Sequence, residues 1–258
     1  VIHVIVPAIV DQEVTDAAVE GIRRNFCDVS DPSCYRILVN VDAHTRPKHK
    51  GTQQTVSASW RSLPNTTVNT AGSRMGLEES FRFLLQSAID VVREEDEILL
   101  IEDDTILQNP IPANSLIGIT QAGKRQARLS YAVQVKDTTW WSAESPFLDG
   151  ARDDESDLHS GFDLWLAGKR FCSTGGMIIA RSTAAAALEQ YNNFRGPPED
   201  RLSKMHMWPS SAAVLFVKGA RDQPNQWDKD TAVTVEKDKH FLIDSIRCKR
   251  DDTVNYLR

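Results

Sequence analysis

The stretch Ile98-Leu99-Leu100-Ile101-Glu102-Asp103-Asp104 decides how the rest of the chain is read. Four consecutive apolar residues without polar alternation are the pattern of a strand buried on both faces, as in a parallel sheet. Three carboxylates follow at once. Acids crowded at the end of a buried strand repel one another, and a hard divalent cation is the usual neutraliser. Mg²⁺ and Mn²⁺ take carboxylate, water and phosphate oxygens. A metal held by one or two carboxylates keeps positions open for a diphosphate. Without the apolar strand in front, the same triplet reads as a solvated turn or helix start.

Upstream of this stretch, strands and helices alternate. Residues 2–7 read as a strand leaving at Pro7 and Asp11, and residues 14–26 as a helix with Val14, Ala18, Val19, Ile22 and Phe26 on one face. Residues 35–41 form a second strand that closes at Asp42, and a polar loop is expected over 43–58. Residues 66–70 are a short third strand, turned by Ala71-Gly72-Ser73 into a long helix. In that helix Leu77, Phe81, Leu84, Leu85, Ala88, Ile89 and Val92 recur on one face. The alternation implies right-handed crossovers and an open, mostly parallel, twisted α/β sheet flanked by helices. Ligands of such sheets bind beyond the carboxyl ends of the strands. Acids stand at three such ends: Asp11, Asp42 and the 102–104 cluster. Arg74 follows the third strand at the same edge, either meeting a diphosphate or the acids, or serving as an ordinary surface arginine. No Walker or dinucleotide fingerprint is present.

Downstream the pattern changes. Leu129, Tyr131, Val133 and Val135 alternate as one strand, and Thr138-Thr139-Trp140-Trp141 follows. Asp153-Asp154-Glu155-Ser156-Asp157 reads as a loop, solvated or covering a ligand. Gly175-Gly176 is a tight turn into a buried strand over 177–180, and Ser182 caps a short helix ending at Tyr191. Pro197-Pro198 introduces Glu199-Asp200-Arg201-Leu202-Ser203 as the first turn of another helix. Trp140, Trp141 and Trp208 offer apolar faces for a sugar ring or for core packing. Neighbours on a strand point to opposite faces, so at most one of Trp140 and Trp141 lines a site, and Trp141 is the candidate.

The chain has 258 residues, 41% hydrophobic and 26% charged, which excludes a disordered or fibrous protein. Its apolar runs fall far short of the roughly 20 residues that span a bilayer. It opens at Val1 in a strand-like run with no basic leader region. The absent Met suggests a trimmed start, which leaves a removed leader or anchor open. A net charge of −6 argues against a dedicated nucleic-acid binder, although not against a nucleotide site. Four cysteines are too few for a disulfide scaffold, and Cys27 and Cys34 either pair across a short loop or stay reduced. Asn65-Thr66-Thr67 is a formal glycosylation acceptor. The basic Arg247-Cys248-Lys249-Arg250 is a solvated tail or a peripheral membrane contact.

With these residues in view, the sequence resembles a known family. Ile98-Leu99-Leu100-Ile101-Glu102-Asp103-Asp104-Thr105 resembles the metal-binding strand of GT-A glycosyltransferases. Their motif is Asp-x-Asp, and Glu-Asp-Asp is its form in the N-acetylglucosaminyltransferase I group. Val4-Ile5-Val6-Pro7-Ala8 is similar to the first strand of family 2 glycosyltransferases, and Asp42 matches the acid that family uses near the nucleotide base. Glu199-Asp200-Arg201-Leu202-Ser203 is similar to the Glu-Asp-x-x-Leu-Ser signature, one residue shorter, whose Asp is the base of inverting enzymes. Ser173-Thr174-Gly175-Gly176 lies upstream of it, as the family's acceptor-side glycine turn does. The likeness runs in order over roughly residues 2–205.

The resemblance implies one GT-A-like (Rossmann-like) domain over 1–258, with a nucleotide-sugar half at 1–110 and an acceptor half at 111–258. It implies an inverting glycosyltransferase of polysaccharide or glycoconjugate biosynthesis, with a nucleotide-sugar donor and a carbohydrate or glycoconjugate acceptor. Asp200 is then the base, with Glu199 second. Asp104 is a direct ligand of Mn²⁺ or Mg²⁺, completed by His240 with His206 as rival. Asp11, Asp42, Arg74, Glu102 and Asp103 line the nucleotide sugar. Trp141, Gly175, Gly176 and Trp208 line the acceptor. A retaining enzyme is the nearest alternative. A sugar-nucleotide nucleotidyltransferase normally carries a glycine-rich basic loop where this chain has Pro7-Ala8-Ile9-Val10-Asp11-Gln12. A non-catalytic carbohydrate-binding domain stands third. The expected compartment is the cytoplasm, with the Golgi lumen as alternative for a trimmed catalytic domain.

Overall fold

A computed structural model describes residues 1–45, 50–120, 126–130, 132–135, 139–142, 148–152, 162–167, 176–190, 212–217 and 242–245. Its first half is the expected alternation. Strand β1 (Ile2–Val10) leads into helix α1 (Gln12–Ile22), β2 (Tyr35–Thr45) into α2 (Gln53–Arg61), and β3 (Thr66–Thr70) into α3 (Gly76–Ile89). Strand β4 (Glu97–Leu100) then enters the sheet, followed by β5 (Thr105–Leu107) and the short helix α4 (Ala113–Leu116). The pairs β1–β2, β1–β4 and β2–β3 are all parallel.

The later chain widens this sheet. Strands β6 (Gln126–Leu129), β9 (Leu148–Arg152), β10 (Phe162–Ala167), β11 (Met177–Ala180) and β12 (Ala212–Val217) join it, with helix α5 (Arg181–Gln190) after β11. The nine strands lie in the order β3-β2-β1-β4-β11-β6-β12-β10-β9. Following the pairings across it, β11 and β10 run against the other strands, so the sheet is mixed but mostly parallel. Two ribbons stand apart: β7 (Ala132–Val135) with β8 (Thr139–Ser142), and β5 with β13 (Ile243–Ser245).

Both faces of the sheet are covered, which is why β1 and β4 are apolar without alternation. Val4, Val6, Ile37, Val39, Leu99 and Ile101 face the layer of α1 and α2, against Ala18, Ile22, Val56 and Trp60. Ile5, Ile98, Leu100 and Ile179 face the other layer, against Phe81, Leu84 and Leu85 of α3 and Ala184 and Ala187 of α5. No helix among the described residues is long and apolar enough to cross a membrane.

Three local expectations need correction. The polar loop expected over 43–58 contains α2. Thr52 and Thr55 cap each other there, and Val56 and Trp60 give the helix one buried face. The single strand expected through Leu129 and Val135 is two, β6 in the main sheet and β7 in a ribbon. The break is at Ser130, buried, whose amide bonds Leu215 while its carbonyl accepts from Leu242 and Ile243. Ser182 lies inside α5 and does not cap it. Cys27, buried, and Cys34 are both free thiols.

Candidate functional site

The carboxyl edge of β1, β2 and β4 collects the acids singled out from the sequence. Asp11, Asp42, Asp103 and Asp104 are all buried, and Glu102 is half-buried. Each has a distinct structural setting.

Asp11 follows the last residue of β1, and its carbonyl accepts from the Thr15 amide at 2.9 Å, opening α1. β1 outruns β4: their last paired residues are Ile5 and Leu100. Beyond that end the Ile9 amide donates to Asp103 Oδ2 at 2.9 Å. An irregularity in the β1–β2 register falls at the same place, between Ala8 and Val10. Such bulges are frequent where a strand end is reshaped for a site. The Asp103 carboxylate thus ties the acidic turn after β4 to the end of β1. Thr105 closes that turn by donating to the Glu102 carbonyl at 3.0 Å.

Asp42 takes two backbone amides at once. Met75 N–H donates to Oδ1 at 2.8 Å and Gly76 N–H to Oδ2 at 2.7 Å. Met75 has φ −97° and ψ −39°, and Gly76 has φ +79°. A right-handed residue followed by a left-handed one turns successive amides into a concave anion cradle. The acid at the end of β2 therefore anchors the entry to α3. Arg74 lies immediately before the cradle, with its side chain exposed. Gln53 braces the same edge, its amide donating to the Val41 carbonyl at 2.9 Å and the Ala71 carbonyl at 2.8 Å.

Gly176 enters this edge from the second half. Its amide donates to the Leu100 carbonyl at 2.8 Å, and its carbonyl accepts from Leu129 at 2.7 Å. With φ +76° and a Cβ that would stand 2.6 Å from Ile243 Cδ1, the position admits only glycine without rearrangement. Gly176 is buried by the chain's own residues two positions from the Glu102 turn. Trp141 pairs with Val133 in the β7–β8 ribbon. Gly175, Glu199, Asp200, His206, Trp208 and His240 lie outside the described residues, as does the acidic run 153–157.

One acid at this edge escaped the sequence reading. Asp244 is buried in β13, which pairs antiparallel with β5, the strand leaving Asp104. Ser245 sits opposite Thr105, and Asp244 opposite Ile106. The available signal was the run Leu242-Ile243-Asp244, apolar residues ending in an acid as in Val41-Asp42. Among the described residues, no three His, Cys, Asp or Glu side chains are grouped so as to hold a metal ion by themselves. The described donors are hard carboxylate oxygens, the chemistry Mg²⁺ and Mn²⁺ accept together with water and phosphate.

No protein-family model matches the sequence, and no curated protein matches it. Solved structures do share its fold. The S. aureus TarS 1–349 structure matches over 83% of this chain and 57% of its own, at 14% identity and a TM-score of 0.50. The same TarS fragment in complex with UDP-GlcNAc matches over 83% and 55%, at 13% identity and a TM-score of 0.50. The chain thus spans somewhat over half the length of these neighbours. At such identities the likeness is one of architecture: the chain shares with these structures a mixed, mostly parallel α/β sheet with flanking helices.

Proposed function

We propose that this chain transfers a sugar from a nucleotide-sugar donor to a hydroxyl of a carbohydrate or glycoconjugate. The observation that carries the reading is the placement of buried Asp11 at the end of β1 and of buried Asp103 and Asp104 after β4, the two strand ends being tied by the Ile9 amide on Asp103, at the carboxyl edge of a GT-A-like sheet. The UDP-GlcNAc complex of the TarS neighbour supports a nucleoside diphosphate-sugar as donor class.

In this reading the acceptor hydroxyl attacks the anomeric carbon from the face opposite the diphosphate, and the configuration inverts. Asp200 accepts the hydroxyl proton, with Glu199 as the second candidate. Asp104 would hold Mn²⁺ or Mg²⁺ directly with His240 completing the set, and Asp103 would bind it through water or contact the ribose. When bound, that ion supplies positive charge opposite the departing diphosphate. Arg74 adds a second positive charge at that edge. Glu102 and Asp42 border the nucleotide, and Gly175, Trp141 and Trp208 border the acceptor, while buried Gly176 sets the start of β11. In this reading the chain is one catalytic domain, with donor contacts from 1–110 and acceptor contacts from 111–258.

A thermal-shift panel tests this. UDP, GDP, CDP and ADP, and their sugar derivatives, are added with and without Mn²⁺. A saturating diphosphate raises the melting temperature by roughly 5–10 °C in the presence of metal. No shift with any nucleotide, or pyrophosphate release from a nucleoside triphosphate, overturns the assignment.

A further inference from the structure

Strand β2 carries an anomaly that the site does not explain. Within Ile37-Leu38-Val39-Asn40-Val41, Asn40 is fully buried, although asparagine is disfavoured in strands and costly in a core. Its amide donates to Ser80 Oγ of α3 at 2.7 Å, and its carbonyl oxygen accepts from Asn69, its partner on β3. Ser80 is buried as well.

Asn40 and Asp42 share one face of β2, two residues apart, and α3 packs on that face. Asp42 holds the amide of Gly76, and Asn40 holds Ser80, one helical turn further on. Two strand residues advance about 6.6 Å. Four helix residues advance about 6.0 Å. The two polar rungs are therefore commensurate, and the helix runs antiparallel to the strand. The next step along each, Leu38 and Leu84, belongs to apolar packing. Apolar contact alone is non-directional and lets a helix slide along a sheet. A one-turn slip would set Leu84 against the buried Asn40 amide, or carry Gly76 away from Asp42.

We propose that Asn40, with Ser80, is a positioning residue that fixes the axial register of α3. In doing so it places the Asp42-held turn and Arg74 at the nucleotide edge. The functional consequence rests on the glycosyltransferase reading above; the register itself does not. The test is the double variant Asn40→Val with Ser80→Ala, which makes the rung to α3 apolar and strands no buried donor on α3, while the half-buried Asn69 amide on β3 turns to solvent. Asn40→Val alone is the control. Three quantities are measured: melting temperature, UDP affinity by calorimetry, and hydrogen exchange at the Met75 and Gly76 amides.

The double variant is expected to melt close to wild type. Its UDP dissociation constant rises about tenfold, and Met75 and Gly76 lose about tenfold of their protection while the Leu84–Ala88 amides keep theirs. A merely structural role predicts recovery of affinity along with stability. Unchanged protection at Met75 and Gly76 overturns the register assignment. Lost protection with unchanged UDP affinity overturns its link to the nucleotide edge. A wild-type chain that binds no nucleoside diphosphate overturns the function, while the exchange data still decide the register.

Discussion

The two ends of β4 both carry buried acids, yet they differ in construction. At the amino end, Glu97 is enclosed by one turn: Gly118 N–H at 3.1 Å, Thr120 N–H at 2.7 Å and Thr120 Oγ at 2.9 Å. Beside it, Asp96 accepts from the Arg93 backbone and guanidinium and faces His3 Nε2 at 3.4 Å. At the carboxyl end, acids from β1, β2, β4 and β13 arrive on separate connections, and the donors identified there are backbone amides of neighbouring strands or helices. Burial of a carboxylate does not by itself mark a site. What separates the two ends is convergence from several chain segments at the edge where α/β sheets bind ligands.

The largest expected effect comes from exchanging one acid at each end. Asp104→Ala should lower nucleotide-sugar turnover per folded molecule on the order of 10²–10³-fold. Glu97→Ala should act on stability instead, because it strands two amides and a hydroxyl in the interior. It costs about 2–3 kcal/mol of stability and leaves nucleotide affinity per folded molecule intact. Denaturant unfolding and donor-hydrolysis assays on both variants read the contrast. Equal loss of turnover in the two would erase the distinction between the ends.

A smaller effect sharpens the carboxyl end. The Cβ of Gly76→Ala meets nothing within 4 Å, so its penalty is the left-handed backbone alone. That penalty is roughly 1–2 kcal/mol, a few degrees in melting temperature. The Asp42 cradle should loosen with it, seen as faster exchange of the Met75 amide. Ordinary exchange there would show that the cradle does not depend on the glycine.

The smallest effect belongs to the amino end and to pH. Burial pulls His3 below its ordinary 6.5, outweighing the opposing attraction of Asp96. The unfolded chain takes up that proton first, so this contribution to stability is complete above about pH 6.5 and is lost as pH falls through the lowered value. Burial pushes Glu97 upward from 4.5 against its three donors, so its contribution is complete below 4.5 and is lost as pH rises through the raised value. His3→Gln should flatten the loss of stability that sets in as pH falls below about 6.5. An unaltered slope in urea midpoints counts against the His3 assignment.

The parallel half of the fold was legible because each element repeats a short pattern. The apolar runs of β1 and β4 and the single buried face of α3 need no distant partner to be read. α2 was missed because its cap is the less familiar Thr52–Thr55 pair and its apolar face is two large residues in a polar segment. The division of β6 from β7 was invisible, since Ser130 breaks the strand through contacts with Leu215, Leu242 and Ile243 far along the chain. At the site, the acids were legible as strand-end residues, but their settings were not. That Asp42 lies in a backbone cradle depends on the left-handed turn at Gly76, and that Asp103 holds Ile9 depends on how far β1 outruns β4. Asp244 joins the edge only through a strand pairing that no local pattern announces.

That pairing has a consequence for how the molecule is made. β5 leaves the acidic turn early in synthesis, yet its partner β13 is translated after more than half the chain has followed. A nascent chain can assemble β1 to β4 from near-neighbour contacts, which form quickly. The backbone of β5 keeps open hydrogen-bonding groups until Ile243–Ser245 emerges. The flank of the carboxyl edge is thus a late folding event, and a ribosome stalled before β13 would present a formed sheet with one side of its acidic edge unpaired.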